Sequence, residues 1–166
     1  MDQATQRLMM GAAGAGEKTL YVDDVFSIDS WVGNAGSSQT KTNGIDLAGE
    51  GGLVWSKRVV GSHEHGLYDT ERGVNKRLQP SATDTEVDRS GNDDELKAFN
   101  SDGWTLGTWN SNVTGSGSSN VSWNWKESAT AGFDMVLYTG NGSNRTISHS
   151  LSAVPKMMIV KNRGTV

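Results

Sequence analysis

The chain contains no cysteine and only two prolines among its 166 residues. The absence of cysteine excludes disulfide bonds, thiolate catalysis and cysteine-ligated zinc. No apolar run approaches the ~20 residues that a membrane-spanning helix needs, so we expect no membrane span. The formal net charge is −4 with both signs interspersed, and without a basic face we expect no nucleic-acid partner. No helical pattern is long enough for a βαβ unit.

Glycine and tryptophan are abundant instead, with 21 and six copies. Glycine-rich turns separate short β-type runs, of which the clearest is residues 51–58, where a glycine pair precedes Leu53, Val54 and Trp55. Asn100 to Gly103 is a strong turn signal and predicts a hairpin. These features predict an all-β fold, an antiparallel β-sandwich or jelly roll.

Residues 121–126 alternate with a period of two. One face carries Val121, Trp123 and Trp125, and the other carries Ser122, Asn124 and Lys126. Because large apolar side chains favour burial, we expect the valine and tryptophan face to line the core.

Part of the pattern occurs twice. An aromatic residue, a polar turn with Gly-Asn, a short polar strand and an apolar run with a basic end occupy residues 31–58 and again residues 138–163. We predict an N-terminal arm at residues 1–18 and a β-sandwich domain at residues 19–130. Residues 131–166 are either closing strands or the start of a second similar module, with a strand at residues 133–138.

The predicted arm differs in composition from the rest. Leu8, Met9 and Met10 are apolar and precede a Gly/Ala run at residues 11–16, which predicts a flexible segment. Two interpretations stay open: a docking peptide that becomes ordered on a partner, and a frayed terminus. The first residues do not form the basic n-region of a secretory signal. We therefore expect a protein made in the cytoplasm or assembled into a particle there.

Three groups of residues suggest chemistry, but each has a simpler explanation. His63 and His65 share one side of a glycine-flanked loop, with His149 far away, which is a weak metal signal. Asp69 and Glu71 have the spacing of paired carboxylates, yet neighbouring basic residues favour an ion-paired turn. The acidic residues between 84 and 95 lack the glycine of an EF-hand and fit a solvated loop. We predict no catalytic residue, no cofactor and no metal site.

Trp109 stands at the mouth of a polar loop and does not alternate into a strand. An exposed indole beside Asn110 and Asn112 is a candidate glycan contact, since its ring offers a stacking surface. The alternative is that Trp109 caps the edge of the sandwich.

Six blocks resemble, in the same order, a module of tailed-phage virion proteins, particularly those of marine and cyanobacterial phages. The blocks are LYVDDVF (20–26), NGIDL (43–47), GEGGLVWSK (49–57), HGLYDTERG (65–73), FNSDGW (99–104) and YTGNG (138–142). The resemblance begins at about residue 19 and continues through the rest of the sequence. It implies a lectin-like β-sandwich that serves as a building block of tail fibres or other virion appendages, without a catalytic motif.

On this resemblance we expect a non-enzymatic virion protein, a tail fibre or fibre-like appendage, assembled in the host cytoplasm. Arg7, Leu8, Met9 and Met10 are similar to the short leader of such proteins and form the candidate particle anchor. The expected partners are other virion proteins (a tail adaptor, a nozzle or the capsid) and identical copies in a homotrimer. Two alternatives stay open: a module that binds host-surface glycans in host attachment, and a capsid decoration protein.

Overall fold

A computed structural model of the chain describes residues 19–34, 38–108 and 117–164. These residues contain nine strands and no α-helix, hence no helix that is long and apolar enough to cross a membrane. The strands are β1 (Phe26–Val32), β2 (Gln39–Lys41), β3 (Gly52–Arg58), β4 (Gly66–Asp69), β5 (Lys76–Arg77), β6 (Val87–Asp88), β7 (Leu96–Asn100), β8 (Gly103–Leu106) and β9 (Ser119–Lys126). A short 3-10 turn, Val22–Asp24, precedes β1. The all-β prediction is confirmed, while the predicted arm at residues 1–18 lies outside the described residues.

Most strands belong to two antiparallel sheets. The first sheet has the order β1-β9-β3-β4 and the second has the order β2-β8-β7, while β5 and β6 form a separate pair. β1 and β9 are far apart in sequence and pair along their length, from Phe26 opposite Trp125 to Val32 opposite Ser119. The two larger sheets form a sandwich-like fold, as the sequence predicts.

β3 lies inside the first sheet, with β9 on one side and β4 on the other. Its glycine start has a steric reason, because a side chain on Gly52 would collide with the carbonyl oxygen of Trp125 in β9. The predicted hairpin is confirmed as well: β7 turns into β8, and Gly103 takes a φ of +107° that favours glycine.

The hydrophobic core contains side chains from both larger sheets. Its buried members are Trp31, Ile45, Leu47, Val54, Tyr68, Leu96, Trp104 and Leu106. Trp31 of the first sheet and Trp104 of the second meet edge to face, with ring centroids 5.2 Å apart. Edge-to-face contact is favourable for two aromatic rings, so this contact stabilises the packing of one sheet against the other. Ile45 and Leu47 come from the connection between β2 and β3, so a loop as well as the strands supplies the core.

The alternation predicted for β9 is confirmed, but the face assigned to the core is wrong. Asn120, Ser122 and Asn124 are buried, whereas Val121, Trp123 and Trp125 lie half-buried on the opposite face. Hydrogen bonding explains the reversal. Asn124 Oδ1 accepts the Trp104 Nε1–H at 2.9 Å across the core, and Asn124 Nδ2 donates to Asp29 Oδ2 at 2.8 Å. Because both ends of the Asn124 amide have partners, the strand can turn this side chain inward.

A second polar link joins β4 to the residue that precedes β7. The Tyr68 hydroxyl donates to Glu95 Oε2 at 2.7 Å, and Arg77 Nη1 donates to Glu95 Oε1 at 2.7 Å. Burial first, and then the negative charge of Glu95, raises the pKa of Tyr68 well above its usual value. The phenol therefore stays protonated and remains a donor inside the core.

Residues 134–164, called here the C-terminal segment, contain no strand. Just before them, Phe133 forms an isolated bridge with Ser128 and stacks on Trp125, with ring centroids 6.0 Å apart. The strand predicted at residues 133–138 does not form beyond this bridge, because no neighbouring strand pairs with it in the described chain. The division into a sandwich domain and a second module stays a prediction.

Candidate functional site

Two of the predicted sites lie outside the described residues. They are the candidate anchor Arg7, Leu8, Met9 and Met10 and the candidate glycan contact Trp109, Asn110 and Asn112. Both stay predictions.

The two loop histidines have partners within the protein. His65 Nδ1 accepts a hydrogen bond from Trp55 Nε1 at 3.0 Å, and His63 Nε2 lies 2.9 Å from Arg58 Nη1. Burial, followed by the positive charge of Lys57, lowers the pKa of His65, so this imidazole is neutral near pH 7. Across the described ranges, no group of three or more histidine, aspartate or glutamate side chains is arranged to hold a metal ion.

Asp69 and Glu71 are in different environments. Asp69 is buried and accepts two bonds from Arg72, one from the side-chain Nε at 2.5 Å and one from the backbone N–H at 2.8 Å. Glu71 is exposed. The ion pair with Arg72 therefore explains Asp69, whereas Glu71 faces solvent.

Arg72 also connects the first sheet to the C-terminal segment through a series of ion pairs. Its Nη1 donates to Glu86 Oε2 at 3.2 Å, and Glu86 accepts two further bonds from Arg163 at 2.8 and 2.9 Å. Burial opposes the ionisation of Glu86, but the hydrogen bonds from Arg163 and Arg72 outweigh it and lower its pKa. Lys161 Nζ donates to the carbonyl oxygen of Ala82 at 2.9 Å. The end of the segment is thus held by the loop between β5 and β6.

Glu127, directly after β9, holds the beginning of the segment. The Met135 N–H donates to Glu127 Oε1 at 3.2 Å. Burial is the main reason that the pKa of Glu127 rises to about 7, and the carboxyl groups of Glu71 and Asp134 add to the effect. A carboxyl group with this pKa changes its charge close to neutrality, so the attachment is sensitive to pH.

The first candidate surface is the outer face of the first sheet, opposite the core. Its apolar side chains are Phe26, Ile28 and Val32 of β1, Val121, Trp123 and Trp125 of β9, and Leu53 and Trp55 of β3. Rings contact across the strands, with centroids 5.2 Å apart for Phe26 and Trp125. Ile28 and Val32 are 61% and 59% exposed. The β1 and β9 part of this face has no outward charge, which is typical of a surface that another molecule covers.

The second candidate surface is the C-terminal segment. Its most exposed apolar residues are Val154, Met157, Met158, Ile159 and Val160, which are 70–81% exposed. Four of these are consecutive, whereas isolated exposed apolar residues are ordinary in folded proteins. A continuous exposed run of this kind is unusual in a folded chain, which makes it a candidate contact surface.

Neither surface is evident from the sequence alone. Trp123 has a large apolar side chain and Asn124 a polar one, so the sequence of β9 predicts that Trp123 is buried. β1 gives the same misleading signal, because Phe26, Ile28 and Val32 share its outward face whereas Ser27, Asp29 and Trp31 share its inward face.

Comparison with known proteins gives one match. The sequence profile of a protein family described as a domain of unknown function, DUF7483, matches residues 22–166. No curated protein and no solved structure matches significantly. The matched range includes the sandwich and the C-terminal segment, and the chain belongs to the DUF7483 family.

Proposed function

We propose that this member of the DUF7483 family is a non-enzymatic virion structural protein of a tailed phage, a tail fibre or fibre-like appendage. Its N-terminal part attaches to the particle through Arg7, Leu8, Met9 and Met10. Identical copies pack as a homotrimer, and the partners are other virion proteins, such as a tail adaptor, a nozzle or the capsid.

The observation that carries the proposal is the pair of uncovered apolar surfaces on one small chain. Ile28 and Val32 are more than half exposed on the outer sheet face, and Met157 to Val160 are 70–81% exposed on the C-terminal segment. Monomeric soluble proteins rarely present contiguous apolar patches of large size, whereas building blocks of assemblies do. The choice of a tailed-phage appendage among such assemblies rests on the six sequence blocks and their order.

Deleting residues 1–16 tests the attachment. The wild-type chain and the deletion variant are expressed during infection, and purified particles are analysed by quantitative mass spectrometry. We expect the wild-type chain in the particles and a loss of at least tenfold for the variant, while circular dichroism of the isolated variant shows an intact sandwich.

The matched control is Trp109→Ala, which lies outside the anchor and is expected to be incorporated normally. Normal incorporation of the deletion variant would contradict the anchor, and absence of the wild-type chain from particles would contradict the virion role. A wild-type chain that binds glycans on an array and loses this binding with Trp109→Ala would favour the glycan-binding function instead.

A further inference from the structure

Phe133 and the C-terminal segment repeat the landmarks of the first strands, at a spacing of 107 positions and then of 104 positions. Three residues return 107 positions later (26 to 133): Phe26, Gly33 and Asn34 correspond to Phe133, Gly140 and Asn141. In the apolar run the distance is 104 positions (57 to 161), and Lys57 corresponds to Lys161. Residues 133–139 therefore correspond to β1, and residues 157–163 correspond to residues 53–59, which are β3 without its first residue together with Val59.

Corresponding residues differ strongly in burial. Val54 of β3 is fully buried, and Met158 at the equivalent position is 81% exposed. Trp31 of β1 is 8% exposed, and its counterpart Tyr138 is 51% exposed. Tyr138 and Met158 are thus apolar, as Trp31 and Val54 are, but they are not buried in a core.

In the first sheet, β9 lies between the two strands to which the runs correspond, and the C-terminal segment has no counterpart of β9. β1 and β3 do not pair with each other, because β9 lies between them and bonds to both in antiparallel register. Both edges of β9 are therefore occupied. No residue range from 134 to 164 has the alternating Asn/Ser and Val/Trp pattern of β9, so the two runs of the segment have no middle strand within it.

The segment is nevertheless held at both ends. Met135 is bonded to Glu127 at one end, and Arg163 is bonded to Glu86 at the other. Phe133 and Arg163 also make backbone hydrogen bonds, to Ser128 and to Glu86. Among the residues that the structure describes, positions 136–139 and 157–161 make no backbone hydrogen bond, so an incoming strand can pair with both stretches of one chain.

We propose that the partner of the C-terminal segment is a β9-type strand, which inserts antiparallel between residues 133–139 and residues 157–163. Such a strand has asparagine and serine on one face and valine and tryptophan on the other. Backbone hydrogen bonds to both runs supply the binding, and the alternation sets the register. Tyr138 and Met158 then become buried as Trp31 and Val54 are in the first sheet.

The first experiment supplies the missing strand in the same polypeptide. A copy of residues 60–127 is joined after Arg163, because residue 163 corresponds to residue 59 in the repeat. The matched control carries a copy of residues 60–118 only and lacks the β9 sequence. Amide hydrogen exchange is measured in residues 133–139 and 157–163, and we expect exchange at least tenfold slower in both runs only when the β9 copy is present.

The second experiment uses the unmodified chain and a synthetic peptide with the sequence of residues 118–127. We expect the peptide to slow exchange in the same two runs, and a peptide with Trp123 and Asn124 interchanged to have no effect, because the interchange disrupts the alternation. Equal protection by the control fusion, or no protection in either experiment, would overturn the proposal. Protection restricted to the first sheet would overturn it too.

Discussion

Replacing Asn124 by alanine tests the inward polar face of β9. Asn124 is fully buried, and its amide accepts the Trp104 Nε1–H at 2.9 Å and donates to Asp29 Oδ2 at 2.8 Å. The same amide nitrogen lies 3.1 Å from Ser27 Oγ. One side chain thus joins β9 to β1 within the first sheet and to β8 in the second.

The cost follows from the groups that lose a partner. Trp104 is fully buried, and an unsatisfied buried donor costs about 1–3 kcal/mol. Asp29 keeps a bond from Asn43 Nδ2 at 3.0 Å, so its loss is smaller, about 1 kcal/mol. We expect the free energy of unfolding to fall by about 3 kcal/mol, which for a chain of this size lowers Tm by roughly 6–12 °C.

Urea unfolding followed by tryptophan fluorescence measures this cost, and near-ultraviolet circular dichroism reports the packing of the indoles. The matched control is Asn144→Ala, an exposed asparagine in the C-terminal segment, for which we expect a change within about 0.5 kcal/mol. If Asn124→Ala costs no more than Asn144→Ala, Asn124 faces solvent and the reasoning is refuted.

Two further predictions concern pH and burial. The pKa of Glu127 rises from 4.5 to about 7 on folding, so the folded state binds the additional proton and stability falls as pH rises from 4.5 to 7. With solvent screening at this partly exposed site the loss is about 1 kcal/mol. Glu127→Gln keeps the acceptor for Met135 and removes the loss; equal pH slopes of Tm in the two proteins would contradict this assignment. Val54→Ala should cost about 2 kcal/mol and Met158→Ala less than about 0.5 kcal/mol in urea unfolding, and equal costs would contradict the difference in their burial.

The sequence predicts those parts of the fold that local chemistry determines. Glycine is required at Gly52 and Gly103 for steric reasons, and the start of β3 and the hairpin between β7 and β8 are accordingly predicted well. The alternation of β9 is also predicted, since a strand presents alternate residues to opposite faces.

The direction of that alternation depends on distant residues. Asn124 turns inward because Trp104 and Asp29, 20 and 95 positions away in the sequence, supply its partners. Composition alone favours burying the indoles, and only the contacts of Asn124 and Trp31 with Trp104 of the second sheet reveal the opposite arrangement. The candidate surfaces depend on the same information, so they follow from the structure and not from the sequence.

The absence of strands from the described residues of the C-terminal segment has a related cause. Residues 157–160 have the apolar pattern of a strand, but a strand forms only where another strand satisfies its backbone groups. The apolar pattern indicates that residues 157–160 can form a strand. They do not form one here because no strand in the described chain pairs with them.

The polar inner face and the apolar outer face of the first sheet are connected. A sheet that is apolar on both faces can pack either face inward, and a strand that slips by one residue exchanges its two faces at little cost. Asn124 removes this ambiguity, because only one orientation gives its amide the partners Trp104 and Asp29. With the inward face specified by hydrogen bonds, the outward face is free to carry Ile28, Trp123 and Trp125 without endangering the register. The hydrogen bonds of the inward face therefore fix the register of the sheet even though its outward face is apolar.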